Sequence, residues 1–548
     1  MLSTRWKKFI SILLVFVLLV QVTPLAVRAE EAYPENPTCD PQTGKSDLYE
    51  YTPFEGGMAG TAYLNNYLGT LHLDRTDLLL GGERMPVSID FYYDDSINPN
   101  YGSYGAGWTS TYAQTIRYNS SDDRYEYKNA NGTMIYFVYS DCDGDTDIWT
   151  EDTQYGVGDT GLVLYRPSKE DYYDYSLIDL VSGDTHYSFT ECGYLNRIQM
   201  GANQIQIGHN CNGHVIDYVT DTVGRKFDFS YTNGRLSSIT CKDSDGNVIT
   251  SGGTAVSVSY SYTGVLLTGV TYANGDTVTY TYDSNRRITG MSNIDKCGYS
   301  FTYAENSVID TVTAKAAMGT DAEASGVVTY YEQPENNMAA ITSEDTQQRY
   351  TFDGCGKTLS CELLMATTEA AAQGLDDSAF ECVYGMTFTY GYVTDEEGNV
   401  TNTVVDVDVY DSEGMIEENS EEEGEESVEE SEPTETEPNP YTYTEDEFGN
   451  ILTETNTQGD FHQTTTYTYS DDGNYLTSMT DADGNTVQYH YNSNTGLLEY
   501  LIDANNVRTN YGYNAMRELQ MVNLDPSNIA GSTAMAASYI YTQGRLTD

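Results

Sequence analysis

The sequence predicts an all-β protein: a repeat strip of β-hairpins that curls into a shell or open β-spiral, preceded by an N-terminal β module. The first observation is a recurring couple of aromatic residues at i, i+2, which places both rings on one face of a strand and Thr, Ser or His on the other. The second is the punctuation between couples, where Gly supplies positive φ and Asp or Asn holds the turn through its own side chain. The third is composition: 50 Tyr against 14 Phe and 3 Trp in 548 residues, with 84 acids against 26 basic residues. Apolar residues at 39% are too many for a wholly disordered chain. A formal charge of -58 excludes ordinary phosphate-backbone binding, which needs Lys and Arg to displace counterions.

Residues 1–29 read as a secretory signal peptide: Arg5, Lys7 and Lys8 precede the apolar run from Phe9 to Val20, and Val27-Arg28-Ala29 offers a cleavage site after Ala29. The run is shorter than the roughly 18 residues a membrane span requires. No second spanning segment follows. The expectation is therefore a secreted bacterial protein, extracellular or associated with the cell wall, monomeric, with no nucleic-acid partner and no membrane span after cleavage. Residues 30–62 read as a linker and 63–168 as the N-terminal β module. The cysteines at 39, 142, 192, 211, 241, 297, 355, 361 and 382 form no CxxC pair and no regular spacing, which argues against a zinc framework and assigns no disulfide pairing.

The repeat array occupies 169–408 and resumes over 441–548. Its couples are Phe229/Tyr231, Tyr260/Tyr262, Tyr280/Tyr282, Tyr467/Tyr469, Tyr489/Tyr491 and Tyr511/Tyr513, the last three at a period of 22. Further couples are Tyr187/Phe189, Phe301/Tyr303, Tyr350/Phe352, Phe388/Tyr390, Tyr441/Tyr443 and Tyr539/Tyr541, with a degenerate Ile207/His209. Turns such as Asn233-Gly234-Arg235-Leu236 and Asp481-Ala482-Asp483-Gly484-Asn485 follow at fixed offsets. Each unit of about 20–22 residues thus reads as strand, Gly turn, strand, Asp/Gly turn. One hairpin cannot bury its ring face alone, so neighbouring units pair edge to edge and share an aromatic lining.

The Tyr280-Thr281-Tyr282-Asp283, Gly234-Arg235-Leu236 and Asp483-Gly484-Asn485 elements resemble the YD repeats of RHS proteins, insecticidal toxin-complex shells and teneurins. The resemblance extends over roughly residues 170–548. Upstream, Gly69 to Leu78, Pro86 to Tyr93 and Tyr104-Gly105-Ala106-Gly107-Trp108 resemble the β module that precedes such repeats in bacterial RHS and secreted wall-associated proteins. The resemblance implies a β-strip spiralling into a hollow shell, which in complete members encloses a toxic C-terminal segment released by self-cleavage. This chain ends at Gly544-Arg545-Leu546-Thr547-Asp548, inside a repeat, and Asp525-Pro526-Ser527-Asn528 lacks the Gly of the D-P-x-G cleavage core. The expectation is the N-terminal part of a longer protein, with neither toxin activity nor autoproteolysis assigned.

Within the array, 409–440 reads as a disordered insertion: residues 411–437 hold 14 acids and no base. Residues 362–374 contain helix formers and predict a short helix, and 313–345 and 523–537 read as insertions between couples. Chemistry-bearing motifs are sparse. Asp141, Asp143, Asp145 and Asp147 form the densest carboxylate cluster outside the acidic insertion and are the Ca²⁺ candidates, although the spacing is not that of an EF-hand. The competing reading is a plain Asp/Gly turn. His209 to His214 supplies too few ligands for a metal, and neither Cys355-Gly356-Lys357-Thr358 nor Gly44-Lys45-Ser46 has the first Gly of a phosphate loop. No H-E-x-x-H or G-x-S-x-G occurs, so no catalytic residue and no cofactor are assigned and the chain is read as not an enzyme. Trp108 reads as a core residue.

Two functional readings follow. One is a secreted structural shell or scaffold of RHS type whose activity lies in a C-terminal region, with that toxin segment as its enclosed partner. The other is an adhesion protein that binds cell-wall or cell-surface glycans through its Tyr-rich repeats. Glycan-binding repeats of this length lean on Trp, and no Trp follows Trp149.

Overall fold

The computed structural model describes residues 44–80, 85–95, 102–152, 160–168, 172–210, 215–293, 298–315, 325–333, 335, 337–367, 380–394, 400–411, 414–415, 441–456, 463–525, 535–539, 541–542 and 545–546. The expected signal peptide, 1–29, and nearly all of the expected acidic insertion, 409–440, lie outside these. The chain divides into two compact units, one of Met1–Glu35 with Phe388–Val407 and one of Asn36–Thr387 with Asp408–Asp548. In the first unit the described residues belong to the long strands Phe380–Thr394 and Val400–Asp411. Everything below concerns the second.

Three antiparallel sheets make up most of this unit. The first has five strands in chain order: Tyr51–Glu55, Thr61–Asn65, Leu71–Leu80, Val87–Asp94 and Trp108–Ser110. Two of these, Tyr51–Glu55 and Thr61–Asn65, fall within the expected linker. In Thr61–Asn65, Ala62 and Leu64 alternate with outward residues and are fully buried, and Tyr51–Glu55 pairs along it. The second sheet begins at Thr115–Asn119 and adds strands consecutively, so the hairpins from 115 to 151 join the strands of the repeat array. The third has nine strands from Tyr441–Glu445 to Met535–Ser538.

Among the described residues, the couples from Tyr187/Phe189 to Tyr350/Phe352 and from Tyr467/Tyr469 to Tyr511/Tyr513 carry the same irregularity. The return strand holds one extra residue opposite the second ring, as at Ser230/Tyr231, Thr281/Tyr282, Thr302/Tyr303, Thr468/Tyr469, His490/Tyr491 and Gly512/Tyr513. Such a bulge increases local twist and re-aims the neighbouring side chain. The second hydroxyl then reaches a carbonyl one hairpin back. Tyr231 donates to Ile216 O, Tyr282 to Leu267 O, Tyr303 to Ile288 O and Tyr513 to Leu498 O, at 2.8 to 2.9 Å. In each case the accepting residue is the one paired with the second ring of the preceding couple. The degenerate unit keeps the pattern, with His209 Nε2 2.8 Å from Leu195 O, opposite Phe189. At Tyr262 an inserted hairpin, Thr250–Ser251 with Thr254–Ala255, breaks the spacing, and the hydroxyl turns to Tyr104 O of the N-terminal module.

This ladder predicts that Tyr303→Phe, which removes one donor and leaves the Ile288 carbonyl without it, lowers stability by about 1 kcal/mol. Amide exchange in Ile288–Asn293 and Gly298–Tyr303 should quicken accordingly. Unchanged exchange there would remove the hydroxyl ladder from the account.

The turns between units are held by their first residue. Asp283, Asp353, Asp446, Asp481 and Asp503 each accept the N–H groups at i+2 and i+4. In Asp481 the Asn485 side chain and backbone donors hold the carboxylate below its usual range. Part of the acidity is therefore turn architecture.

Four expectations change. The segment 362–366 is strand, not helix: Thr358–Ala366 pairs with Thr346–Phe352, burying Cys361, Leu363 and Leu364, while 368–379 lies outside the described residues. Pairing on both edges overrides helix propensity there. Within 313–345, the strands Ser325–Glu332 and Met338–Ser343 continue the sheet and are not an insertion. Within 523–537, Leu519–Asp525 pairs with Met535–Ser538, and 526–534 is not described. Finally, Tyr441/Tyr443 is out of register by one couple position: the bulge lies at Thr444/Glu445, so Glu445 occupies the second-ring place and Tyr443 is 62% exposed.

Candidate functional site: a buried arginine, carboxylate and tyrosine cluster

The strand Leu71–Leu80 carries Arg75 and Asp77 on the face that points into the repeats. Residues i and i+2 share a face, so the two side chains lie side by side and pair doubly, Arg75 Nε to Asp77 Oδ1 at 2.6 Å and Nη2 to Oδ2 at 3.0 Å. Their side chains are 1% and 0% exposed. Three repeat tyrosines complete the site. Tyr260 donates to Asp77 Oδ2 at 2.8 Å, Tyr272 to Oδ1 at 3.0 Å, and Arg75 Nη1 donates to the Tyr280 oxygen at 2.8 Å. Tyr280 in turn donates to Ala59 O, also at 2.8 Å. The guanidinium lies against the rings of Trp108, Phe91 and Tyr280, 4.9, 5.4 and 5.5 Å from their centroids.

Electrostatics makes the cluster inert. Burial works against the Arg75 charge, but Asp77, Tyr280 and Tyr272 outweigh it and hold the guanidinium above its ordinary value. Burial first, and then the Asp77 charge, push Tyr260 and Tyr272 far above the phenol range. Asp77 accepts four donors and no water reaches it, so no group is poised to exchange a proton with solvent. What the arrangement can do is hold: a charge pair buried this way is costly to separate, since either partner alone would be left uncompensated.

Around it the first sheet is fastened to the repeats by backbone as well. Ala106 N–H bonds Val265 O, Leu236 N–H bonds Ser103 O, and Ile309 N–H bonds Gly69 O, at 2.8 to 2.9 Å. Gly105 and Gly69 have positive φ, and a Cβ at either would run into Leu267 or into Tyr331 and Val308. Aromatic contacts run the same way: Phe91 to Tyr260, Trp108 to Tyr280 and Tyr67 to Phe352, with centroids 5.2 to 5.5 Å apart. Trp108 is 4% exposed and its Nε1 donates to Tyr282 at 3.1 Å, so it is a core residue of this junction.

Sequence reasoning singled out Tyr260, Tyr280, Tyr262 and Tyr282 as repeat rings but missed Arg75 and Asp77 altogether. The available signal was the pair itself, a base and an acid at i, i+2 in a strand otherwise burying Leu71, Leu73 and Leu80. The first rings Phe229, Tyr260 and Tyr280 are buried, whereas Tyr467, Tyr489 and Tyr511 are half-buried. Tyr469, Tyr491 and Tyr513 occupy second-ring places, like Tyr231, Tyr262 and Tyr282. The Ca²⁺ candidates lie elsewhere, on the hairpin joining Met134–Asp143 to Thr146–Glu151. Asp141, Asp143 and Asp145 are exposed there, while Asp147 is buried and accepts from Ser168 Oγ. Among the described residues no group of three His, Cys, Asp or Glu side chains is placed to hold a metal.

A cleft of about 600 Å³ at the first sheet is lined by Asp74, Arg75, Thr76, Ser88, Asp90 and Tyr92 among others. Its carboxylates are engaged: Asp90 accepts from Thr76, Ser88 and Thr111, and Asp74 pairs with Lys45.

A family model described as a domain of unknown function, DUF6531, matches residues 65–137. The match covers part of the cluster. It contains Arg75, Asp77, Phe91 and Trp108, the side chains the module contributes. No curated protein matches. Among solved structures, the crystal structure of TcdB2-TccC3-Cdc42 is similar at 11% identity over 89% of this chain and 30% of that one, with a TM-score of 0.27. The crystal structure of TcdB2-TccC3 is similar at 10% identity over 89% of this chain and 31% of that one, with a TM-score of 0.26. This chain thus spans about a third of the length of the solved chains it matches.

Proposed function

We propose that the chain is a secreted structural scaffold of RHS type, a wall segment that surrounds a polypeptide cargo and itself carries no catalytic centre. The observation that carries the reading is the use made of the tyrosines. Second-ring hydroxyls are spent on carbonyls of the neighbouring hairpin, and first rings in the 229–350 stretch are buried, Tyr260 and Tyr280 against the N-terminal sheet. Side chains committed to internal bonds hold a wall together and are not free to stack on a ligand. The DUF6531 match to the module that supplies Arg75 and Asp77 supports the same reading.

The test is protection. A reporter polypeptide fused after Asp548 should resist a broad-specificity protease longer than the same reporter free in solution, and should lose that protection when the wall is unfolded in urea. Digestion at the free rate in both conditions would overturn the container reading, and saturable binding of wall glycans by Tyr467, Tyr489 and Tyr511 would replace it with adhesion.

A further inference from the structure

Among the described residues Cys142, Cys192, Cys241, Cys361 and Cys382 are free thiols, whereas Cys355 is buried and disulfide-bonded. Its partner is therefore one of the three remaining cysteines, Cys39, Cys211 and Cys297, all of which lie outside the described residues. The strands that lead to each decide between them, because a disulfide needs its two Cα atoms within about 7 Å.

Cys297 directly precedes Gly298, and Cys355 follows Phe352 by three positions. Thr302, Thr311, Tyr330, Thr342 and Gln347 pair in one row across five strands, of which Gly298–Tyr303 and Thr346–Phe352 run the same way. Gly298 lies before that row and Phe352 beyond it, about 30 Å apart along the strand direction at the rise of a β-strand. Cys211 follows the strand Asn203–His209, which is twelve strands from Thr346–Phe352 in the same sheet. Its hairpin also meets a different part of the N-terminal module: Ile216 and Tyr231 bond there with Tyr104.

The Cys355 turn is built instead against the chain that follows Cys39. Tyr67 donates to Gly354 O at 3.4 Å, and its ring packs on Phe352 at 5.2 Å and stacks on Tyr49 at 5.8 Å. Gly356 has a φ of +92°, and a Cβ there would run into the rings of both Tyr49 and Tyr67. Tyr49 stands ten positions after Cys39, a length of chain that reaches up to about 35 Å when extended. Both cysteines belong to the second compact unit.

We infer that Cys39 and Cys355 form a disulfide that clasps the start of this unit to the repeat turn Asp353–Lys357. Its formation passes two electrons and two protons from the two thiols to a disulfide-bearing oxidant, which leaves as a dithiol. The bond closes the whole N-terminal module and the array up to Phe352 into one covalent loop. The module is then held twice, covalently beside Tyr49 and Tyr67 and through the Arg75–Asp77 cluster. The inference concerns the wall alone and depends on no cargo.

The test oxidises the intact chain with oxidised glutathione, alkylates free thiols in urea, digests without reduction and maps crosslinked peptides by mass spectrometry. A peptide pair joining Cys39 to Cys355 is expected, and it should vanish on reduction. Cys355 joined to Cys211 or Cys297, or recovered alkylated, would overturn the inference. Cys39→Ser should also quicken amide exchange severalfold at Cys355 and Lys357, whose N–H groups Asp353 holds, while Cys211→Ser should leave both rates unchanged. Equal rates in Cys39→Ser and the parent would overturn the clasp. The crosslink is read on the parent chain, so a Cys39→Ser chain that fails to fold leaves the decision with the peptide map.

Discussion

Asp77→Ala will cost about 3–5 kcal/mol of local stability, because it leaves the Arg75 guanidinium buried with no opposite charge. Tyr260 loses the acceptor for its hydroxyl, and Tyr272 is left with Met58 O at 3.3 Å. In a chain of this size the loss is read locally and not from a single unfolding curve. Hydrogen exchange should accelerate throughout Leu71–Leu80 and Val87–Asp94, while Gln463–Tyr469 and Thr486–Tyr491 in the third sheet keep their rates. The double replacement Arg75→Met with Asp77→Leu should be milder than Asp77→Ala alone, since it removes both charges and leaves chiefly unpaired hydroxyls, at about 1–3 kcal/mol. That inversion, two changes costing less than one, is the signature of a buried ion pair. Equal exchange in Asp77→Ala and the parent would mean that the cluster does not fasten the module.

The inversion also explains why the cluster escaped the sequence. A repeat announces itself locally: the i, i+2 rings and the Asp turns lie within a single unit, and their physics is complete there. Arg75 meets Tyr280 across 205 positions, and nothing within one repeat states which rung lies under which strand of the module. Trp108 was legible as buried because an indole flanked by glycines packs closely whatever its partner. The strand at 358–366 was not, because Glu, Leu and Ala there favour a helix in isolation and only the two neighbouring strands decide otherwise. The register error at Tyr441/Tyr443 had a readable remedy. In Tyr282-Asp283, Phe352-Asp353 and Tyr513-Asn514 the second ring directly precedes the turn residue, and Glu445 directly precedes Asp446. The turn, whose carboxylate fixes two N–H groups, marks the register more faithfully than the rings.

Asp95→Asn will stabilise the protein at neutral and alkaline pH. Burial pushes the Asp95 carboxyl up to about 8, neighbouring Asp94 adds to this, and the Leu71 N–H at 3.1 Å and the charge of Arg287 offset only part of it. An unfolded aspartate titrates near 3.9. Between these values the native protein holds a proton that the unfolded chain has released, so stability falls as pH rises from about 4 to about 8 and is level above. At about 1.4 kcal/mol per pH unit, and allowing for the carboxylate being only partly shielded, the accumulated penalty is on the order of 2–4 kcal/mol by pH 8. Asparagine keeps an acceptor for Leu71 N–H and carries no proton to lose, so the gain should be absent near pH 4 and grow toward pH 8. The parent alone will not display this slope cleanly. His72 lies nearby with Asp94, Asp74 and Lys45 facing it, and burial lowers its pKa against the pull of Asp94. That shift acts with the opposite sign: the unfolded imidazole binds a proton the native one refuses, so stability rises with pH until the unfolded value near 6.5 is passed. The two slopes oppose one another below that pH and only Asp95 remains above it. Hydrogen-exchange protection of Leu71–Leu80 in Asp95→Asn relative to the parent, compared at pH 4, 6 and 8, isolates the carboxyl, because His72 and the intrinsic exchange rates are common to both. A difference that stays constant across the three, or shrinks with rising pH, would show that Asp95 is ionised in the native protein.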